Sequence, residues 1–160
     1  MALTENSLDC LSRFVQTFAG QWLDAWNRHD IEAILSHFAD DIIFLSPLAQ
    51  QRVGNGRVIG IEALRNYWSI GLAQQPQLRF ELDRVLTGYG VVTICYRNHR
   101  GQSVAETFEF NDSGKVNRAI AFAEYGMGQH EAQWHAYRIE VSSSCLFNRG
   151  YGLDSNSVDF

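Results

Sequence analysis

The run VVTICYRNHRGQSVAETFEFNDSGKVNRAIAFAEY, residues 91–125, most restricts what this chain can become. Apolar and polar residues alternate along it, β-branched and aromatic side chains crowd it, and two glycine-containing clusters interrupt it. That pattern predicts three successive antiparallel strands joined by tight turns. Arg97, His99, Glu106, Arg118 and Glu124 sit among its apolar residues. Burying a lone charge is costly, so a core-facing strand that carries ionisable groups lines a cavity or an interface.

Upstream, residues 7–28 give the strongest helical signal. Leu8, Leu11, Val15, Phe18, Trp22 and Ala25 advance in steps of three and four and share one face, widened by Phe14 and Trp26. Asp30 is placed to cap a short second helix buried through Ile31, Ile34, Leu35 and Phe38. Ile42, Ile43, Phe44 and Leu45 read as a strand that Ser46-Pro47 stops. Residues 50–60, with three glycines, read as a turn or short hairpin. A third helix over residues 61–73 buries Ile61, Leu64, Trp68 and Leu72 with Tyr67 beside them, and alternation at Leu78, Phe80 and Leu82 marks a further strand. Helices first and a meandering antiparallel sheet last predict an α+β fold.

At 160 residues the chain suits one domain, large enough to be stable without disulfide or metal. A net charge of −5 and no Lys/Arg run argue against nucleic acid or an anionic membrane as partner. Cys10, Cys95 and Cys145 are odd in number and far apart, which suits free thiols. With an acidic N-terminal stretch and no apolar run of spanning length, a cytoplasmic location is expected. His29, His37, His99, His130 and His135 show no ligand spacing, so no metal is expected, and no cofactor motif is present. After Tyr125 the texture changes, and residues 126–160 are expected to form a C-terminal extension that packs on the domain or on a second subunit.

The strings WLDAWNRHDIEAILSHFADDIIF, GIEALRNYW and GKVNRAIAFAEY resemble the SnoaL-like branch of the nuclear-transport-factor-2-like superfamily, over residues 7–125. The resemblance implies a cone-shaped curved antiparallel sheet wrapped around a long N-terminal helix, an apolar pocket open at one end, and a homodimer formed through the outer sheet face. Its members include polyketide cyclases, ketosteroid isomerases, dehydratases, epoxide hydrolases and proteins that only bind ligands or dimerise. The isomerases carry a general-base aspartate before a proline after the first strand. Here Ser46 precedes Pro47 and cannot act as a carboxylate.

Turn geometry gives an expectation for side-chain direction. With Arg100-Gly101 as a two-residue turn and Asp112-Ser113-Gly114 as the next loop, one face gathers Cys95, Arg97, His99, Glu106, Phe108, Phe110, Ile120, Phe122 and Glu124. The other gathers Ile94, Tyr96, Asn98, Ala105, Thr107, Ala119, Ala121 and Ala123, a small-residue face suited to close packing and to a subunit contact. A carboxyl group on the aromatic face gains a raised pKa suited to general acid–base work. Glu106 and Glu124 are thus the candidate bases, with Arg97, His99 or Tyr67 to stabilise developing negative charge. An ion pair of either acid with Arg97 or Arg118 is the structural alternative. Phe18, Trp22, Trp26, Phe44, Tyr67, Trp68, Phe108 and Phe122 are the expected pocket lining. Two functions follow: a lyase, isomerase or hydrolase acting on a small apolar or partly polar ligand, or a non-catalytic ligand-binding or dimerisation module. A pocket filled by Trp134 or Phe147 of the extension would make the protein structural.

Overall fold

The computed structural model describes residues 5–123. Glu124 and the C-terminal extension, with Trp134 and Phe147, lie outside the described residues. Helix α1, Glu5–Asn27, is the long N-terminal helix that the periodicity predicts. Val15, Phe18, Ala19, Trp22, Ala25 and Trp26 form its buried stripe. Trp22 is fully buried and packs against Trp26, Phe80, Tyr96 and Phe108. Each such ring removes on the order of 150–250 Å² from water, so this one helix face organises most of the core. The helix ends in a clamp: the Asn27 amide donates to the Phe80 carbonyl at 2.9 Å and its oxygen accepts from the Phe80 amide at 2.7 Å. The strand that Phe80 begins is thereby fixed to the helix.

Helix α2, Ile31–Leu35, is one short turn capped by Asp30, whose side chain accepts from the Ala33 amide. Phe38, expected on that helix, instead opens strand β1, Phe38–Leu45. The next segment also differs from expectation, because a helix, α3, Pro47–Val53, stands where a turn was predicted. Ser46 accepts from the Ala49 amide as its N-cap, proline occupies the first turn where no donor is needed, and Gly54 closes it at a φ of 76°. Strand β2, Arg57–Ile59, helix α4, Ile61–Gln74, and strands β3, Phe80–Gly88, β4, Val91–Asn98, β5, Ser103–Phe110, and β6, Val116–Ala123, complete the order.

The six strands form one curved sheet in the order β2-β1-β6-β5-β4-β3. It is not wholly antiparallel: β1 and β6 run parallel, with Phe44 opposite Ala119. Helices α1 and α4 cover the concave face, where Trp68 of α4 meets Trp26, Phe38 and Phe44. No described helix is long and apolar enough to cross a membrane.

Register decides which side chains enter this layer, and it departs from expectation at both hairpins. The β4–β5 loop holds three residues, His99, Arg100 and Gly101, closed by the Asn98 amide donating to the Gln102 carbonyl. Gly101 takes a φ of 76°, a conformation glycine adopts without steric cost. The β5–β6 loop is as expected, but a bulge follows it: Glu109 lies opposite Arg118 and Phe110 opposite Val116, leaving Asn117 unmatched. Each extra residue flips its strand relative to β5. Val92, Ile94 and Tyr96 therefore point inward with Glu106, Phe108 and Ala119, and Thr93, Cys95 and Arg97 point outward.

Candidate active site

Two polar groups are buried in this layer, Ser46 and Glu106, among the described residues. Glu106 stands on β5 between Val104 and Phe108, flanked across the sheet by Ile94 and Ala121. It is 6% exposed. One carboxylate oxygen, Oε1, accepts from the Tyr96 hydroxyl at 2.8 Å. The other, Oε2, is buried with no partner. An unpaired carboxylate oxygen in an apolar layer is expensive in its charged form. Burial accordingly pushes the Glu106 pKa up to about 7, and the Tyr96 hydrogen bond offsets part of that rise. Burial, then the neighbouring Glu106 charge, drives the Tyr96 phenol in the same upward direction.

A second phenol approaches from the helical side. Tyr67 of α4 is buried and packs on Phe44. Its pKa is raised by burial, with Ser46 and Arg52 pulling it back and the Glu106 charge adding to the rise. Ser46 and Arg52 bracket helix α3, so the unexpected helix delivers both groups to Tyr67. The indole nitrogens of Trp22 and Trp26 are also buried without partners, which adds two unused donors to the layer. Together these give one carboxylate able to take a proton near neutral pH, with phenol and indole donors beside the aromatic rings. Among the described residues no cluster of three or more His, Cys, Asp or Glu can hold a metal.

The structure sorts the expected site residues plainly. Glu106 points inward. Phe18, Trp22, Trp26, Phe44, Tyr67, Trp68 and Phe108 are all buried in the layer around it. Arg97 is a correction: the register puts it on the outer face, exposed and opposite Ser103, where it cannot reach Glu106. Phe122 is another, standing 51% exposed on that outer face. Ala119 and Ala121 reverse with it and face inward. His99 lies in the hairpin loop, past the end of β4, with both ring nitrogens shielded and unpartnered. Glu124 lies outside the described residues. The ion-pair alternative for Glu106 does not form, because Arg118 pairs with Glu109 at 3.6 Å on the outer face.

Tyr96 and Arg52 were missed. Tyr96 had a signal in its own strand, since Val92, Ile94 and Tyr96 alternate as a more apolar set than Thr93, Cys95 and Arg97. Arg52 had only the Ser46-Pro47 start and Gly54 stop of a helix to mark it.

Solved structures of similar shape agree with this architecture. A SnoaL-like protein of unknown function from Burkholderia thailandensis is 39% identical, with a TM-score of 0.69, over 71% of this chain and 96% of that one. A SnoaL-like protein from Agrobacterium tumefaciens, named provisionally as an isomerase, is 17% identical with a TM-score of 0.58, over 71% and 99%. A protein from Sinorhizobium meliloti, named provisionally as a polyketide cyclase, is 16% identical with a TM-score of 0.51, over 64% and 90%. No curated protein matches the chain. The SnoaL-like domain model matches residues 19–125, from the middle of α1 to the end of the meander. The chain therefore belongs to the SnoaL-like family, with the α+β fold of the nuclear-transport-factor-2-like proteins.

Proposed function

We propose that this protein isomerises a small, largely apolar carbonyl compound, with Glu106 as the general base. The observation that carries the reading is the buried carboxylate whose Oε1 is held by Tyr96 while Oε2 has no partner. Oε2 takes a proton from the carbon next to the carbonyl; the C–H pair moves into the enolate and its charge gathers on oxygen. The Tyr67 hydroxyl, buried on the helical side of the layer, donates to that oxygen. In a β,γ-unsaturated compound the enolate is a dienolate, and return of the same proton to its γ-carbon moves the double bond into conjugation without any further reactant. Ser46, at the place where the isomerases of the family carry their aspartate, caps α3 instead, so the base is supplied from β5.

Exchange of the acidic hydrogens of 2-tetralone in D2O, followed by proton NMR, tests this. The parent protein is expected to accelerate exchange over buffer, and Glu106→Gln to lower that rate about a hundredfold or more. Exchange at the buffer rate, or an unaltered rate in the variant, would leave the protein as a ligand-binding module without chemistry.

Assembly is a second reading, favoured by the outer face. Ile59, Leu86 and Phe122 are each more than half exposed there, beside Thr93, Ala105 and Thr107. This composition fits a second copy of the chain, and Phe122→Glu is expected to halve the mass measured by sedimentation equilibrium.

A further inference from the structure

Arg52 is the unexplained cation beside this site. It lies in the last turn of α3 and forms no ion pair with another described residue. Its guanidinium crosses onto α4 at Gly71: a β-carbon built there would stand 3.1 Å from Nη1. Gly71 follows Tyr67 by one helical turn and so shares its face of α4. Ser46, at the other end of α3, and Arg52 both hold the Tyr67 pKa down against the rise that burial causes. The short helix thus straddles Tyr67, a hydroxyl at its start and a cation at its end. Glycine at position 71 leaves the guanidinium room to lie against the helix.

We propose that Arg52 is a specificity-determining residue that selects ligands carrying a carboxylate, binding it at the solvent-facing side of Tyr67 while the apolar body extends toward Glu106. The proposal rests on the reading of Glu106 and Tyr67 as the site. A guanidinium suits this role because its fixed fork of donors pairs with a carboxylate through two hydrogen bonds. A cation here also balances the cost of bringing a negatively charged ligand toward the Glu106 carboxyl group.

Calorimetric titration with 2-naphthoate and 2-naphthamide, which share a shape and differ in charge, tests it. At pH 6 the parent protein is expected to bind the naphthoate about tenfold more tightly than the amide. Arg52→Gln is expected to remove that preference by weakening the naphthoate alone, and Arg52→Lys to restore part of it. Gly71→Ala provides a test that keeps the charge. Its methyl group displaces the end of a flexible side chain, so thermal stability holds or rises while the preference falls. Equal binding of the two compounds by the parent, or a preference unchanged in Arg52→Gln, overturns the role of Arg52 and leaves the Glu106 site standing. Repeating the titration at pH 8 separates the two ideas, because Glu106→Gln then removes a buried like charge and tightens the naphthoate. Failure of both compounds to bind, or no response to Glu106→Gln, removes the site and the carboxylate selectivity together.

Discussion

Glu106 and Glu109 stand on the same strand, an odd number of residues apart, and so belong to opposite faces of one sheet. Glu106 faces a layer of rings, keeps one oxygen unpaired and is pushed up to about 7. Glu109 faces out, half-exposed, with the Arg118 guanidinium at 3.6 Å. Identical side chains on one backbone therefore differ in what they can do. The inner one is a buried carboxyl whose pKa burial raises toward neutrality; the outer one is a half-exposed ion pair. What separates them is the alternation of side chains along β5, which gives the inner face to one and the outer face to the other.

This contrast can be broken most severely at Glu106. Beyond its expected effect on the proposed proton exchange, Glu106→Gln is expected to remove a pH dependence of stability. The folded pKa lies above that of the unfolded chain, so the folded state holds the extra proton between roughly pH 4.5 and 7. Stability is thus greatest below that window and falls as pH rises through it. Denaturant titrations are expected to show parent and variant close together at pH 5. At pH 8 the variant gains on the order of 3 kcal/mol relative to the parent. A parent whose stability rises between pH 5 and 8 relative to the variant would show that Glu106 is already charged when buried.

Phe108→Ala, the next inward position on β5, is expected to cost about 3–5 kcal/mol by urea denaturation, as for a fully buried ring. Thr107→Ala, between them and facing out, loses only the 2.9 Å hydroxyl contact with Thr93 and is expected to cost about 1 kcal/mol. Equal losses at the two positions would contradict the register. Tyr96→Phe removes the hydrogen bond that stabilises the Glu106 carboxylate. The midpoint of its titration, followed by carbon-13 NMR of the carboxyl, is expected to rise by about one pH unit. Glu109→Gln should change stability by no more than about 0.5 kcal/mol, an effect that added salt abolishes.

Legibility in the sequence followed the range of the interaction responsible. Helix α1 was plain because its stripe repeats over many turns, each residue confirming the last. The meander and the α+β class were plain for the same reason, and so was the inward aim of Glu106 and Phe108 on the middle strand. Tyr96 and Arg97 were exchanged because a face assignment was carried around a hairpin, where one loop residue reverses everything beyond it. The bulge at Asn117 had the same effect on Phe122, and nothing local in Lys115-Val116-Asn117 announces it. Helix α3 was hidden by a different ambiguity: proline ends a strand and begins a helix with equal readiness. The Ser46-Pro47 start and the Gly54 stop mark the helix only when the two are read together.

The parallel pairing of β1 with β6 has a consequence for how the chain comes to be folded. Phe44 cannot meet Ala119 until nearly the whole of the described chain has been synthesised. Until then β1 has only the short β2 as a sheet partner. Contacts so far apart in sequence slow folding and prolong exposure of apolar surface. A nascent chain halted before Val116 should bind a hydrophobic dye strongly, and one extended through Ala123 should not. The strand that completes the sheet is thus also the one that ends the chain's most aggregation-prone interval.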